Sequence, residues 1–168
     1  LVADFLAGTI ESIVDLGGWI HPDARFLACE GQISVHLEGE CEPGTALIRL
    51  PASAFIRITR VNWTDSTECL EMDGLLEELT EAEIELLILQ MALHNACGKI
   101  PWLVANHPLL ADLPAQVITA AQAIDPTFRA KAFTAAEVLW SNRVLRLPTL
   151  HSAIPEPVAL PLVDLLNH

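Results

Sequence analysis

The stretch "TEAEIELLILQMALHNACG", residues 80–98, limits what this chain can become. Leu79, Ala82, Leu86, Leu89, Leu93 and Ala96 recur at steps of three and four, the spacing of one helix face. Ile84, Leu87, Ile88 and Met91 widen that face until little of the helix can meet water. Thr80 with Glu83 has the spacing of a capping box, and Gly98 stands where a left-handed residue would end the helix. A helix apolar on most sides needs other parts of the chain, or lipid, around it. The run from Ile84 to Leu93 falls short of the ~20 residues that cross a bilayer, follows acids and is interrupted by Gln90, so it predicts a core helix. With 168 residues, 52% of them hydrophobic, the chain is long enough to supply that core.

The rest of the chain divides around this helix. From Trp19 to about Ile58, β-branched and aromatic residues alternate with turn formers, as in "GQISVHL" and "ALIRLPASAFI", which predicts strands and turns. Pro43-Gly44 marks a tight turn, and Pro51 stops the run Ala46 to Leu50 because it has no N–H for a ladder. After three prolines, "AQVITAAQAI" offers a second, shorter helix. Thr134 and Glu137 repeat the capping-box spacing, and Val138, Leu139, Trp140, Val144 and Leu145 follow with helical spacing, so a third helix is expected there with Arg143 about one turn from Leu139 and Trp140. "RLPTLHSAIPEPVALP", with four prolines, predicts a loop or extended edge leading into "LVDLLNH".

Charge removes several function classes. With 22 acidic and 9 basic residues, the net charge of −13 repels phosphate backbones and argues against nucleic acid, while it suits a basic protein partner. Glu68, Glu71, Asp73, Glu77, Glu78, Glu81, Glu83 and Glu85 crowd one stretch, read as a solvated helix entry. Cys29, Cys41, Cys69 and Cys97 form no CxxC pair, which favours reduced thiols and an intracellular setting over disulfides or zinc. The first residue is Leu, and the first segment lacks the basic start of a signal peptide, so the chain reads as a piece of something longer. Asn62-Trp63-Thr64 fits a glycosylation sequon, a short pattern that also arises by chance.

No GxSxG, phosphate loop or HExxH occurs, and His21, His36, His94, His107, His151 and His168 never pair at ligand spacing, so no metal is expected. His94 on the apolar helix reads as a satisfied core residue and Asp164 as a cap or turn residue. The sequence closes on Asn167-His168, a polar pair after an apolar run, and such a pair needs hydrogen-bond partners.

These parts carry a resemblance. A strand region with the loop Glu30-Gly31-Gln32-Ile33, a helical insertion ending "EVLWSNRVLRL" and the closing "PLVDLLNH" resemble the SET-domain protein methyltransferases, in the branch typified by the Rubisco large-subunit methyltransferase and its histone-directed relatives. The resemblance implies an α+β fold of small sheets, with a strand-rich segment at 1–61, a mostly helical insertion at 62–147 and the start of a second SET segment at 148–168. It implies S-adenosyl-L-methionine as cofactor, held by Gly31, Gln32, Ile33, Arg143, Asn167 and His168, with Arg143 and Asp164 near the substrate lysine of a basic protein. Ile33 stands where the family has its second glycine, and Asn142-Arg143 where it has Ser-Arg. The family's catalytic tyrosine follows its Asn-His motif, and this chain contains no tyrosine. The resemblance therefore assigns no catalytic residue and implies a methyltransferase fragment that is inactive alone. The alternative is a non-catalytic acidic interaction module on the same scaffold. Oligomeric state, compartment and substrate protein are not specified by these residues.

Overall fold

A computed structural model describes residues 1–29, 32–106, 115–124, 133–141 and 143–166. The fold is mixed α+β, with four two-stranded antiparallel sheets among the described residues. In chain order, α1 spans Val2–Asp15, β1 Trp19–Ile20, β2 Ala24–Cys29, β3 Gln32–Leu37, β4 Ile48–Arg49, β5 Val61–Trp63 and β6 Met72–Leu75. There follow α2 at Glu81–Cys97, α3 at Ile100–Ala105, α4 at Ala115–Ile124, α5 at Ala135–Ser141, β7 at Val144–Leu147, β8 at Glu156–Ala159 and α6 at Val163–Leu166. The pairs are β1 with β4, β2 with β3, β5 with β6 and β7 with β8.

The central helix is α2, and its ends follow the local rules. Thr80 and Glu83 form the reciprocal capping box, and Gly98 takes the left-handed conformation at φ 66°. Within α2 only Glu81, Glu85, Ile88 and Asn95 are exposed. The helix is wrapped, as its composition requires.

Part of the wrapping comes from α1, a helix that the charge pattern of the N-terminal segment does not reveal. Its Leu6, Thr9, Ser12 and Ile13 fall on one buried face. Thr9 Oγ1 bonds back one turn to the Phe5 carbonyl at 2.8 Å, and Ser12 Oγ lies 3.0 Å from the Gly8 carbonyl and 2.7 Å from Glu85 Oε1 on α2. The helices pack tightly, since a Cβ on Gly8 would lie 3.3 Å from Leu89 Cδ2.

Two further readings change. Glu83 is no part of a solvated acidic entry: it is 3% exposed and holds Arg57 through two bonds of 2.7 Å, while the other seven acids of that stretch are exposed. The third helix stops at Ser141, so Val144 and Leu145 lie on β7 rather than on a helix. Pairing explains the change, because Val144 faces Ala159 and Leu145 faces Val158 in the β7–β8 hairpin. Pro157 is accommodated in β8 because, among the described residues, one side of that strand carries no ladder over most of its length. A single bridge between Ile56 and Ala159 ties the hairpin to the centre.

Candidate functional site

Three parts of the chain meet at α6. Leu162, fully buried, takes a left-handed φ of 66°, a conformation that costs a non-glycine residue about 1 kcal/mol or more. Core packing of its side chain holds it there. The bend turns the chain from β8 into α6 and sends the Asp164 side chain inward, where it is 3% exposed. Arg143, in the turn between α5 and β7, donates from Nη1 to the Asp164 main-chain carbonyl at 2.6 Å. Burial pulls the Arg143 guanidinium below its ordinary value, and the Asp164 charge opposes that pull.

The Asp164 carboxylate belongs to a buried polar cluster. Gln90 and His94, one turn apart on α2, both reach it. Gln90 Nε2 donates to Oδ1, and His94 Nε2 lies 3.0 Å from Oδ2. Gln90 is fully buried and His94 is 5% exposed. The apolar helix thus carries two polar side chains at i and i+4, a spacing that puts both on one face and within reach of a single acceptor. Trp140 of α5 closes the cluster by setting its ring against that of His94, at 5.9 Å between centroids and 89° between planes.

Beyond Trp140 lies a cavity of about 430 Å³. The Trp63 and Trp140 rings, 5.7 Å apart and tilted by 46°, belong to its wall, with Ile58, Val61, Asp65 and Glu137 also lining it. Glu137 is positioned by its capping box, in which Thr134 N donates to Oε2 at 2.9 Å and Glu137 N donates to Thr134 Oγ1 at 3.2 Å.

Among the sequence-derived site residues, Ile33, Arg143 and Asp164 belong to elements that meet. Ile33, on β3 opposite Ala28, is 6% exposed and part of the core. β3 packs against α6, which Arg143 grips by the Asp164 carbonyl. Gln32 opens β3 opposite Cys29. Gly31, Asn167 and His168 lie outside the described residues. Asp164 turns both carboxylate oxygens toward α2, so its side chain fixes α6 to that helix. Gln90 was legible only as an interruption of an apolar run, and His94 only as a core histidine; their i, i+4 spacing was the available signal for a shared partner.

Among the described residues, no group of three or more His, Cys, Asp or Glu could hold a metal ion, and no helix is long and apolar enough to cross a membrane. Cys41, Cys69 and Cys97 are free thiols. Compared with protein-family models, curated proteins and solved structures, the chain matches none.

Proposed function

We propose that this chain carries the cofactor-binding part of a SET-type protein-lysine methyltransferase that uses S-adenosyl-L-methionine on a basic protein. The observation that carries the reading is the meeting of β3, the Arg143 turn and α6, the elements that lead directly to Gly31 and to Asn167-His168. Arg143 fits a ligand with a carboxylate, since a guanidinium in a half-buried setting favours a planar anionic partner. The cofactor supplies a methyl group already activated on a sulfonium. The task left to the protein is to align an uncharged lysine amine with it and keep water out. In this reading Arg143 binds the methionine carboxylate, Asn167 meets the amino-acid end of the cofactor, His168 meets its adenine through backbone groups, and the Gln90–His94–Asp164 cluster holds α6 in place.

A second reading, an acidic interaction module, draws on the exposed Glu68, Glu71, Asp73, Glu77, Glu78, Glu81 and Glu85 around β6 and the start of α2. Calorimetric titration separates the two. S-adenosylmethionine is titrated into this chain and into a polypeptide that continues beyond His168. Saturable binding by either supports the methyltransferase reading. Binding by neither, together with binding of a lysine-rich peptide, leaves the interaction module.

A further inference from the structure

Helix α2 is wrapped except along one strip. Glu81, Glu85 and Ile88 stand on it at steps of four and three, so they share a face, and all three are exposed, Ile88 by 52%. Asn95, the remaining exposed residue of α2, is occupied with both main-chain groups of Leu70. Beside the strip runs α1. Gly8 meets Leu89 and Ser12 meets Glu85, so the two helices are antiparallel, and between them lies a groove of about 430 Å³. Gly8, Ile88 and Leu89 give it an apolar floor, while Glu11, Asp15 and Glu85 line it with carboxylates and no lysine or arginine joins them.

The charge here is uncompensated. Glu11 and Asp15, one turn apart at the end of α1, are exposed, and their side chains make no ion pair or hydrogen bond. The last turn of α1 holds no basic residue, although its unpaired carbonyls already carry partial negative charge. A cation placed there relieves the repulsion between the carboxylates and the strain against the helix dipole together. Glu85 accepts from Ser12 Oγ at 2.7 Å, but that hydroxyl has one hydrogen and a second acceptor, the Gly8 carbonyl, at 3.0 Å. Glu85 can therefore turn to a cation while Ser12 bonds back to α1.

These carboxylates do not close on one metal ion, since no group of three or more His, Cys, Asp or Glu among the described residues could hold one. A second copy of this chain is repelled by its own net charge of −13. An apolar floor between two helices suits a third helix laid along it. The acids repeat at i and i+4 on both walls, Glu11 with Asp15 and Glu81 with Glu85, which matches cations one turn apart on either side of an aliphatic stripe. Lysine suits such open walls, because its methylene stem lies along apolar surface while the ammonium stays hydrated. We infer that the groove between α1 and α2 docks an amphipathic, lysine-bearing helix of a basic protein, with its aliphatic residues on Ile88 and Leu89 and its ammonium groups among Glu11, Asp15, Glu81 and Glu85. Gln90 and His94 leave α2 on another face, so the site stands under either reading of the chain's function.

The test titrates two peptides into the full chain without S-adenosylmethionine. One is a helical peptide of alanine, leucine and lysine, with leucines on one stripe and lysines one turn apart on either side; the other has glutamine in place of lysine. The lysine peptide is expected to move the Ile88 methyl and Gly8 amide resonances in a saturable way, while the methyl of Ile154, 77% exposed between β7 and β8, stays in place. Glu11→Gln combined with Asp15→Asn should weaken binding about three- to thirtyfold, from two exposed charge pairs. The same pair should leave the melting temperature unchanged or raised, because the lost charges opposed the α1 dipole. Ile88→Ser should also weaken binding. Glu68→Gln combined with Glu71→Gln removes as much charge from exposed positions outside the groove and should leave affinity unchanged. Absence of saturable binding, equal binding of the glutamine peptide, equal weakening by the Glu68 and Glu71 pair, or a lowered melting temperature of the Glu11 and Asp15 pair would overturn the inference.

Discussion

Arg57 and Glu83 form a buried ion pair of two bonds, and breaking it has a calculable signature. Their side chains are 9% and 4% exposed, and Nε and Nη2 meet Oε1 and Oε2 at 2.7 Å each. Arg57→Met leaves Glu83 with only the Thr80 N–H at 2.9 Å, and Glu83→Leu leaves Arg57 with the Glu78 carbonyl at 3.2 Å. An uncompensated buried charge costs about 3–5 kcal/mol. The bond that remains to each partner places both single variants near the lower end, about 3 kcal/mol. With a urea slope of about 2 kcal/mol per molar, that moves the unfolding midpoint down by roughly 1.5 M. The double variant buries two apolar side chains instead and loses the Glu83 half of the capping box and the Arg57 bond to the Glu78 carbonyl, together about 1–2 kcal/mol. It should therefore be more stable than either single variant. Urea unfolding followed by tryptophan fluorescence at pH 7 measures all four proteins. If the double variant loses as much as the two singles together, the pair is not coupled and the reasoning fails.

Acid provides an independent check on the same pair. Burial pushes the Glu83 carboxyl up, but the Arg57 hydrogen bond, the Thr80 backbone N–H and the Arg57 charge outweigh it, and the group is held below the ordinary carboxylate value. A lowered folded-state value gives stability that is present above the unfolded value of ~4.3 and is lost as pH falls through the folded one. The gap in stability between the natural chain and Glu83→Leu should shrink across that acid range.

Asp164→Ala removes the acceptor shared by Gln90 and His94 and should cost about 2–4 kcal/mol in the same unfolding assay; if the cluster positions α6 for S-adenosylmethionine, calorimetric affinity falls with it. Gly18→Ala would place a Cβ 2.5 Å from Ile13 Cγ2 and 2.6 Å from the Ile13 carbonyl oxygen, with the Arg49 carbonyl at 3.1 Å, so a loss of about 1–3 kcal/mol is expected in a thermal melt. Ile33→Ala opens a cavity beneath β3 and should cost about 2–5 kcal/mol, whereas a surface role for Ile33 would leave stability within about 0.5 kcal/mol.

What the sequence determined by itself is local. The capping boxes at Thr80 and Thr134, the left-handed Gly98 and the apolar wrap of α2 all follow from residues within one or two turns of each other, where spacing alone dictates geometry. The mixed α+β composition was legible for the same reason. Tertiary structure decided the rest through partners far apart in the chain. Glu83 became a core residue because Arg57 stands opposite, and Val144 joined a strand because Ala159 pairs with it. The polar cluster at Asp164 draws on Gln90 and His94, some seventy residues earlier, and the Trp63–Trp140 wall joins β5 to α5. A lone glutamine, histidine or arginine has no fixed meaning in sequence, because its free energy depends on whether burial brings it an opposite charge or an acceptor.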